Sequence, residues 1–321
     1  MYTWNGLKIH IDIKNHKLIF DIGKYFYAFY SKISKEECDI TFSISSAHEK
    51  MLPPLDKNSR LVKSRDLFLE KEFELKIYEH KEELWYFYHD IAGIWIDFKT
   101  NTIIVSLSDE LFSFPYYNIL FFFLYPLGLL LESWGYYRLH ASCVDIEGRA
   151  VLFSGLSGSG KSTAAFALAA NGGNIVSDDV TFLKKTCNFY KAYTITRLVK
   201  LHGDTVARFF PKLLIYEHIK NHESDVYFDV HTLNTGIPMH SVLESIVVVE
   251  KTGVKHSRVI KVHPSTVVPH LFPSSIQINN NKFTHQKFIF LTDLLNNIPC
   301  YMVDFGVDML EFYKNIKSIV N

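Results

Sequence analysis

The run Gly155-Leu-Ser-Gly-Ser-Gly160-Lys161-Ser162 limits this chain more than any other stretch of it. It matches the pattern GxxxxGK[ST] in full, with the apolar segment AVLFS before it and STAAFALAA after it. That context predicts a strand, a glycine-rich turn and a helix. Glycines let successive backbone N–H groups curl round an anion without a Cβ in the way. The helix N-terminus adds partial positive charge. Gly155, Ser157, Gly158, Ser159, Gly160, Lys161, Ser162 and Thr163 are therefore the expected phosphate-binding set. Lys161 is placed to reach β and γ phosphates, and the Ser162 hydroxyl to ligate Mg2+.

The surroundings of this loop extend the pattern. RLHASCVDI and RAVLFSG are apolar runs separated by Glu147-Gly148, which predicts a β-hairpin leading into the loop. KSTAAFALAANGG reads as a helix stopped by Gly172-Gly173, and NIVSDDVTFLKK as a further strand. Asp178 lies seventeen residues after Lys161, room for one helix and one turn, so the next strand returns Asp178 and Asp179 toward the loop. Paired carboxylates there can hold a metal and take a proton. His140, just before the hairpin, can orient an acidic residue or meet a phosphate.

Taken together, LHAS, a hairpin, GLSGSGKST, a short helix and VSDDVTFL resemble HPr kinase/phosphorylase and its relatives, which share the phosphoenolpyruvate-carboxykinase-type P-loop fold. The matching core runs from about His140 to Leu183, and weaker similarity continues through PMHSVLESIVVVEK to the C-terminal helix. The resemblance implies an α/β P-loop kinase domain with a mixed sheet. It also implies that His140, Lys161, Ser162, Asp178 and Asp179 form an active site using ATP and Mg2+. One aspartate acts as base and the other organises the metal. Asp178, held by His140, is the expected base, and Asp179 with Ser162 the expected metal set, with the reverse order left open.

HPr kinases carry an acidic, glycine-rich segment that recognises HPr. FDVHTLNTGIPM is the nearest stretch here and a poor match. The layout is more similar to the stand-alone HPr-kinase-like enzymes of ribosomal-peptide pathways, including lasso-peptide tailoring kinases that phosphorylate a C-terminal serine. The implied function is transfer of the γ-phosphate to a serine hydroxyl of a peptide or small protein. A free-serine kinase and a non-catalytic nucleotide-binding regulator remain as alternatives.

The first 110 residues read differently, as short strands such as LKIHIDI, HKLIFDI, DITFSIS, LWYFYHD and TIIVSLS. They are expected to form a smaller β-rich domain (1–110) for packing or substrate recognition, with the kinase domain over 111–321. From Leu111 to Leu131 there is no charge, but Pro115, Asn118, Pro126 and Gly128 interrupt the run and acidic residues flank it. We read it as a buried or oligomer-facing helix rather than a membrane segment. DMLEFYKNIKSIV sets Met309, Phe312, Tyr313, Ile316 and Val320 on one helix face, predicting a terminal helix docked on the core.

Composition narrows the partners. With 34 basic and 34 acidic side chains the net charge is zero, which argues against a general nucleic-acid binder. Cys38, Cys143, Cys187 and Cys300 form no CxxC and, with no apolar run at the start of the chain, point to a reducing cytoplasm and to thiols serving as core hydrophobes. The histidines show no tight ligand spacing, so no structural zinc is expected. Arg197, Lys200, Arg208, Arg258 and Lys261 read as surface cations and also as candidate contacts for phosphate or a peptide carboxylate. A homo-oligomer is left open.

Overall fold

The computed structural model describes residues 1–13, 23–26, 29–30, 38–46, 52–63, 66–68, 71–73, 75–89, 91–109, 111, 116–216, 218–220, 225–233, 238, 240–250, 252, 254–275 and 281–320. The expected strand HKLIFDI lies outside them, as do parts of FDVHTLNTGIPM. The chain is mixed α/β and falls into two compact units, one over Met1–Trp134 and one from Gly135 on.

The first unit contains β1 (Tyr2–Trp4), β2 (Leu7–Ile13), β3 (Phe29–Tyr30), β4 (Ile40–Ser46), β5 (Arg60–Lys63), β6 (Asp66–Phe68), β7 (Lys71–Phe73), β8 (Leu75–His80), β9 (Glu83–Tyr88), β10 (Ala92–Asp97), β11 (Thr102–Leu107) and helix α1 (Tyr116–Ser133). Among the described residues nine strands form one sheet in the order β3-β1-β2-β4-β11-β10-β9-β8-β5, and β6 pairs β7 apart from it. The antiparallel run β8 to β11 follows from sequence alternation joined by short turns. β4 joins it through parallel pairing with β11 and β2.

The uncharged stretch becomes α1. Phe123, Leu127, Leu130 and Leu131 recur at helical spacing and are fully buried. Phe123 packs on Phe26 and Phe42 with ring centroids 5.1 and 4.9 Å away. Tyr125 meets Tyr86, and Phe122 meets Tyr88, both edge to face. The helix thus belongs with the β-rich unit, whose boundary falls at Trp134 rather than at residue 110. Among the described residues no helix is long and apolar enough to cross a membrane.

The second unit contains β12 (Tyr137–Leu139), β13 (Ser142–Ile146), β14 (Arg149–Ser154), α2 (Lys161–Ala169), β15 (Asn174–Ser177), β16 (Thr181–Thr186), β17 (Phe189–Tyr193), β18 (Leu198–His202), α3 (Gly203–Phe209), β19 (His218–Lys220), β20 (Asp225–Asp229), β21 (His240–Glu250), β22 (Arg258–Lys261), α4 (Pro264–Ser275), α5 (Asn281–Asn297), β23 (Cys300–Asp304) and α6 (Met309–Val320). Its main sheet has the order β12-β16-β17-β21-β14-β13-β15, with β23 parallel to β21 and β22 beyond it.

The central strand β14 shows how this sheet is covered on both faces. Ala150 and Leu152 enter a core with Val267 and Leu271 of α4 and Leu291 and Leu294 of α5. Val151 and Phe153 enter the opposite core with Ala164 and Leu168 of α2 and Phe312 and Ile316 of α6. Period-two alternation with apolar residues on both sides is what a doubly covered strand requires. The docked terminal helix is as expected, with Phe312, Ile316 and Val320 buried and Met309 and Tyr313 beside them.

Three details depart from the sequence reading. RLHASCVDI is interrupted at His140-Ala141, because β12 pairs with β16 whereas β13 pairs with β14 and β15. NIVSDDVTFLKK is two strands, β15 and β16, with Asp178 and Asp179 in the turn between them. Of the four cysteines only Cys143 and Cys300 are buried; Cys38 is partly exposed and Cys187, in the β16–β17 turn, is exposed. The expected hairpin turn is present, with Glu147 and Gly148 at φ 56° and 87°, the positive pair that a tight hairpin needs.

Because Phe123 is fully buried between two aromatic rings, Phe123→Ala is expected to cost about 3–5 kcal/mol through lost burial and the cavity it leaves. Urea unfolding of the variant beside the parent chain measures it.

Candidate active site

Antiparallel pairing through β13 brings the ends of β14 and β15 to one edge of the second unit's sheet. β14 ends there in the glycine loop. β15 runs antiparallel to β13, which runs antiparallel to β14, so β15 ends at the same edge and delivers the acidic turn. The pairing of β13 with β15 shifts register between Cys143 and Val144, an irregularity of the kind that re-aims side chains beside functional sites.

The glycine loop has the conformation its composition predicts. Gly155, Gly158 and Gly160 hold φ at 148°, 77° and 101°. A Cβ on Gly155 would stand 2.5 Å from Ser159 Oγ and 3.0 Å from the Val249 carbonyl oxygen, so only glycine fits. Gly160 precedes α2 without a side-chain cap, and the first helical bond is Ala164 N–H to the Gly160 carbonyl. The amides of Lys161, Ser162 and Thr163 therefore precede the first bonded turn. Ser159 Oγ is buried with no hydrogen-bond partner. Uncapped amides and an orphaned hydroxyl around a glycine hollow fit the phosphate groups of a nucleotide.

Lys161 is mostly buried, and its Nζ donates to the carbonyls of Gly155 at 3.1 Å and Leu156 at 3.2 Å. Burial lowers the affinity of this amine for its proton, and Asp179 and Asp178 oppose that effect.

The acidic turn is tight. Val180 N–H donates to the Asp178 carbonyl at 2.7 Å, and Asp179 adopts a left-handed φ of 63°. Such a φ is uncommon for a residue with a Cβ, though aspartate tolerates it better than most. Below the turn, Ser177 Oγ and Thr181 Oγ1 are 2.6 Å apart, and Thr181 donates to the Ala141 carbonyl at 2.8 Å. These buried hydroxyls tie the turn to the segment that carries His140.

The two carboxylates differ sharply. Asp178 is only 4% exposed. Its Oδ1 accepts from Ser142 Oγ at 2.6 Å and its Oδ2 from the Lys200 backbone N–H at 2.9 Å, and the Ser162 side chain stands near it. Burial raises its pKa, the charge of Asp179 raises it further, and these three neighbours work against both. Asp179 is about half exposed, with Oδ1 3.2 Å from His140 Nδ1 and Oδ2 3.9 Å from Lys200 Nζ. His140 has a lowered pKa through burial, only partly offset by Asp179, so its neutral imidazole prevails at neutral pH.

The geometry corrects one pairing expected from the sequence: His140 touches Asp179, not Asp178, while Asp178 is the carboxylate that meets Ser162. It also moves Lys200 from the surface into the site. Arg208, Arg258 and Lys261 remain exposed.

No family model matches the chain and no curated protein matches it in sequence. Among solved structures it is similar to the HPr(Ser) kinase/phosphatase from Coxiella burnetii. The identity is 15%, the match covers 57% of this chain and 93% of that one, and the TM-score is 0.30.

Ser142 and Asp225 are site residues that sequence reasoning passed over, and Lys200 was read there as a surface cation or a phosphate contact rather than as a partner of the aspartates. Ser142 was legible only as part of LHAS, and Asp225 carried no local signal. Ser162 Oγ beside the Asp178 carboxylate offers hard oxygen donors that suit Mg2+, an ion that is usually held by one or two carboxylates together with phosphates and water.

Ser142 supplies a donor to a buried carboxylate, so Ser142→Ala leaves part of that charge unsatisfied. The expected loss is about 1–3 kcal/mol of stability, measured by denaturant unfolding of the parent and variant at pH 7.

Proposed function

We propose that this chain is an ATP- and Mg2+-dependent kinase that transfers the γ-phosphoryl group to a serine hydroxyl of a peptide or small protein. The observation that carries the reading is the convergence on one sheet edge of the glycine loop, Lys161, Ser162 and two carboxylates in different environments.

In this reading the loop amides and Lys161 hold the β and γ phosphates. Ser162 and Asp178 hold the magnesium, which when bound neutralises charge on the phosphate oxygens. Asp179, accessible and flanked by His140, takes the acceptor proton as the serine oxygen bonds to the γ-phosphorus. The bond to the bridging oxygen breaks in the same event and ADP carries away that electron pair. This exchanges the roles expected from sequence: the metal falls to the buried, serine-bonded Asp178 and proton transfer to the exposed Asp179. A buried carboxylate already bonded by Ser142 and the Lys200 amide is poorly placed to meet a substrate hydroxyl, whereas a half-exposed one is well placed.

The peptide class of acceptor draws support from the first unit. Among the described residues its sheet ends at β5, where Arg60 and Leu61 are exposed, and an edge strand can pair with an extended chain. The C-terminal serine of a lasso-type precursor is the first acceptor to test.

Incubation with ATP, Mg2+ and a serine-terminated peptide is expected to add about 80 Da, one phosphoryl group, and replacing that serine with alanine abolishes the gain. Lys161→Ala abolishes transfer. Asp179→Asn lowers kcat by roughly 10²–10⁴ with modest change in ATP affinity, the range for a lost general base. Asp178→Asn raises the Mg2+ requirement instead. Phosphorylation of free serine alone would replace the peptide reading with a small-molecule kinase. ATP binding without transfer to any acceptor would replace it with a nucleotide-binding regulator.

A further inference from the structure

Asp179 stands in a turn at positive φ, about half exposed, and is not braced by the strand ladder on either side. A carboxylate in that situation is free to rotate unless something outside the turn holds it. Two groups do so from opposite sides: His140 Nδ1 at Oδ1 and Lys200 Nζ at Oδ2. A lysine on its four-carbon stem is a poor positioning device by itself, because the stem is flexible. Here the ammonium has a second tether, Asp225 Oδ2 at 3.6 Å.

The backbone behind these side chains is well anchored. β18 pairs with β20, with His202 opposite Asp225 and Lys200 opposite Tyr227. Val199 and Leu201 are buried in a cluster with Val226 and Phe228 of β20 and Phe166 of α2. Alternation then sends Lys200 to the other face of β18, toward the acidic turn. The Lys200 N–H simultaneously bonds Asp178. Burial tends to lower the Lys200 ammonium, but Asp179, Tyr227, Asp225 and Asp178 together outweigh it and raise it, so the group stays charged. The other cation facing this cluster is Lys161.

We propose that Lys200 and Asp225 act as a positioning pair for Asp179: Asp225 holds the lysine ammonium, and the ammonium holds the aspartate in place against His140. The catalytic consequence rests on the kinase reading above, while the positioning itself does not. As an isolated, partly exposed ion pair this contact would add little stability, so its value lies in geometry.

The test reads the geometry through His140. The imidazole nitrogen signals of the 15N-labelled full chain report on what faces Nδ1, with His140→Gln identifying them and Asp179→Asn giving the position for a lost contact. Lys200→Met, close in size but uncharged, is expected to move the His140 signals toward the Asp179→Asn position. Asp225→Asn moves them the same way by less, and Lys200→Arg leaves them near the parent. His140 signals that stay at the parent position in both Lys200→Met and Asp225→Asn overturn the proposal, and Asp225→Asn alone decides it if Lys200→Met does not fold. In turnover with ATP, Mg2+ and the serine-terminated peptide, Lys200→Met is expected to lower kcat about tenfold with the KM for ATP unchanged. Lys200→Arg should restore it. A parent chain that transfers phosphate to no acceptor defeats the kinase reading while the imidazole signals still decide the positioning. An unchanged kcat in Lys200→Met beside an active parent defeats the pair's catalytic consequence alone.

Discussion

Holding the Asp178 carboxylate out of water, one residue from a second carboxylate, is the constraint around which the second unit is organised. A charge removed from water costs free energy unless its lone pairs are taken up by donors. Two donors are bonded to it, Ser142 at the start of β13 and the Lys200 amide in β18, and Ser162 in the first turn of α2 stands near it. Each contact ties a different element to the acidic turn. The same bonds therefore satisfy a buried charge and set the spacing between the glycine loop and Asp179.

The packing around this point makes the arrangement rigid where it must be. α2 is clamped between the main sheet and the three-stranded sheet of β18, β19 and β20. Ala164 and Leu168 face the former and Phe166 the latter. Small residues on the first face let the helix lie close to the strands, and the aromatic ring on the other fills the space toward β20. A shift of β18 would move Lys200 and the Asp178 amide donor together, so the two carboxylates respond to one element. In the first unit the problem is different, since there an uncharged helix must be covered. Aromatic rings from β4 and β9 do this, Tyr86 and Tyr88 edge to face and Phe42 tilted, which is why that stretch belongs to a folded core.

Two adjacent aspartates thus acquire opposite characters from their surroundings alone. One is buried and fully bonded; the other is solvated, held at positive φ and flanked by an imidazole and an ammonium. Division of labour between two carboxylates by environment is a general route to acid–base and metal chemistry in one site. Here the difference in environment follows from a tight turn at Asp178-Asp179.

Much of the site was legible in the amino-acid sequence because its parts are local. The glycine loop, the hairpin with Glu147-Gly148 and the helix after Lys161 follow from spacing and from the φ values that glycine permits, and these act over a few residues. The seventeen-residue gap from Lys161 to Asp178 was enough to return the acidic pair to the loop. Other features depended on contacts between distant residues. Ser142 meets Asp178 across 36 positions, and Lys200 meets it across 22. His140 reaches Asp179 because β12 pairs with β16. Which aspartate is buried, which touches His140, and whether Lys200 is a surface cation are questions of strand pairing and burial. No local pattern carries that information. The place of the uncharged helix was likewise decided by the aromatic rings that cover it, contributed by strands far away in the chain.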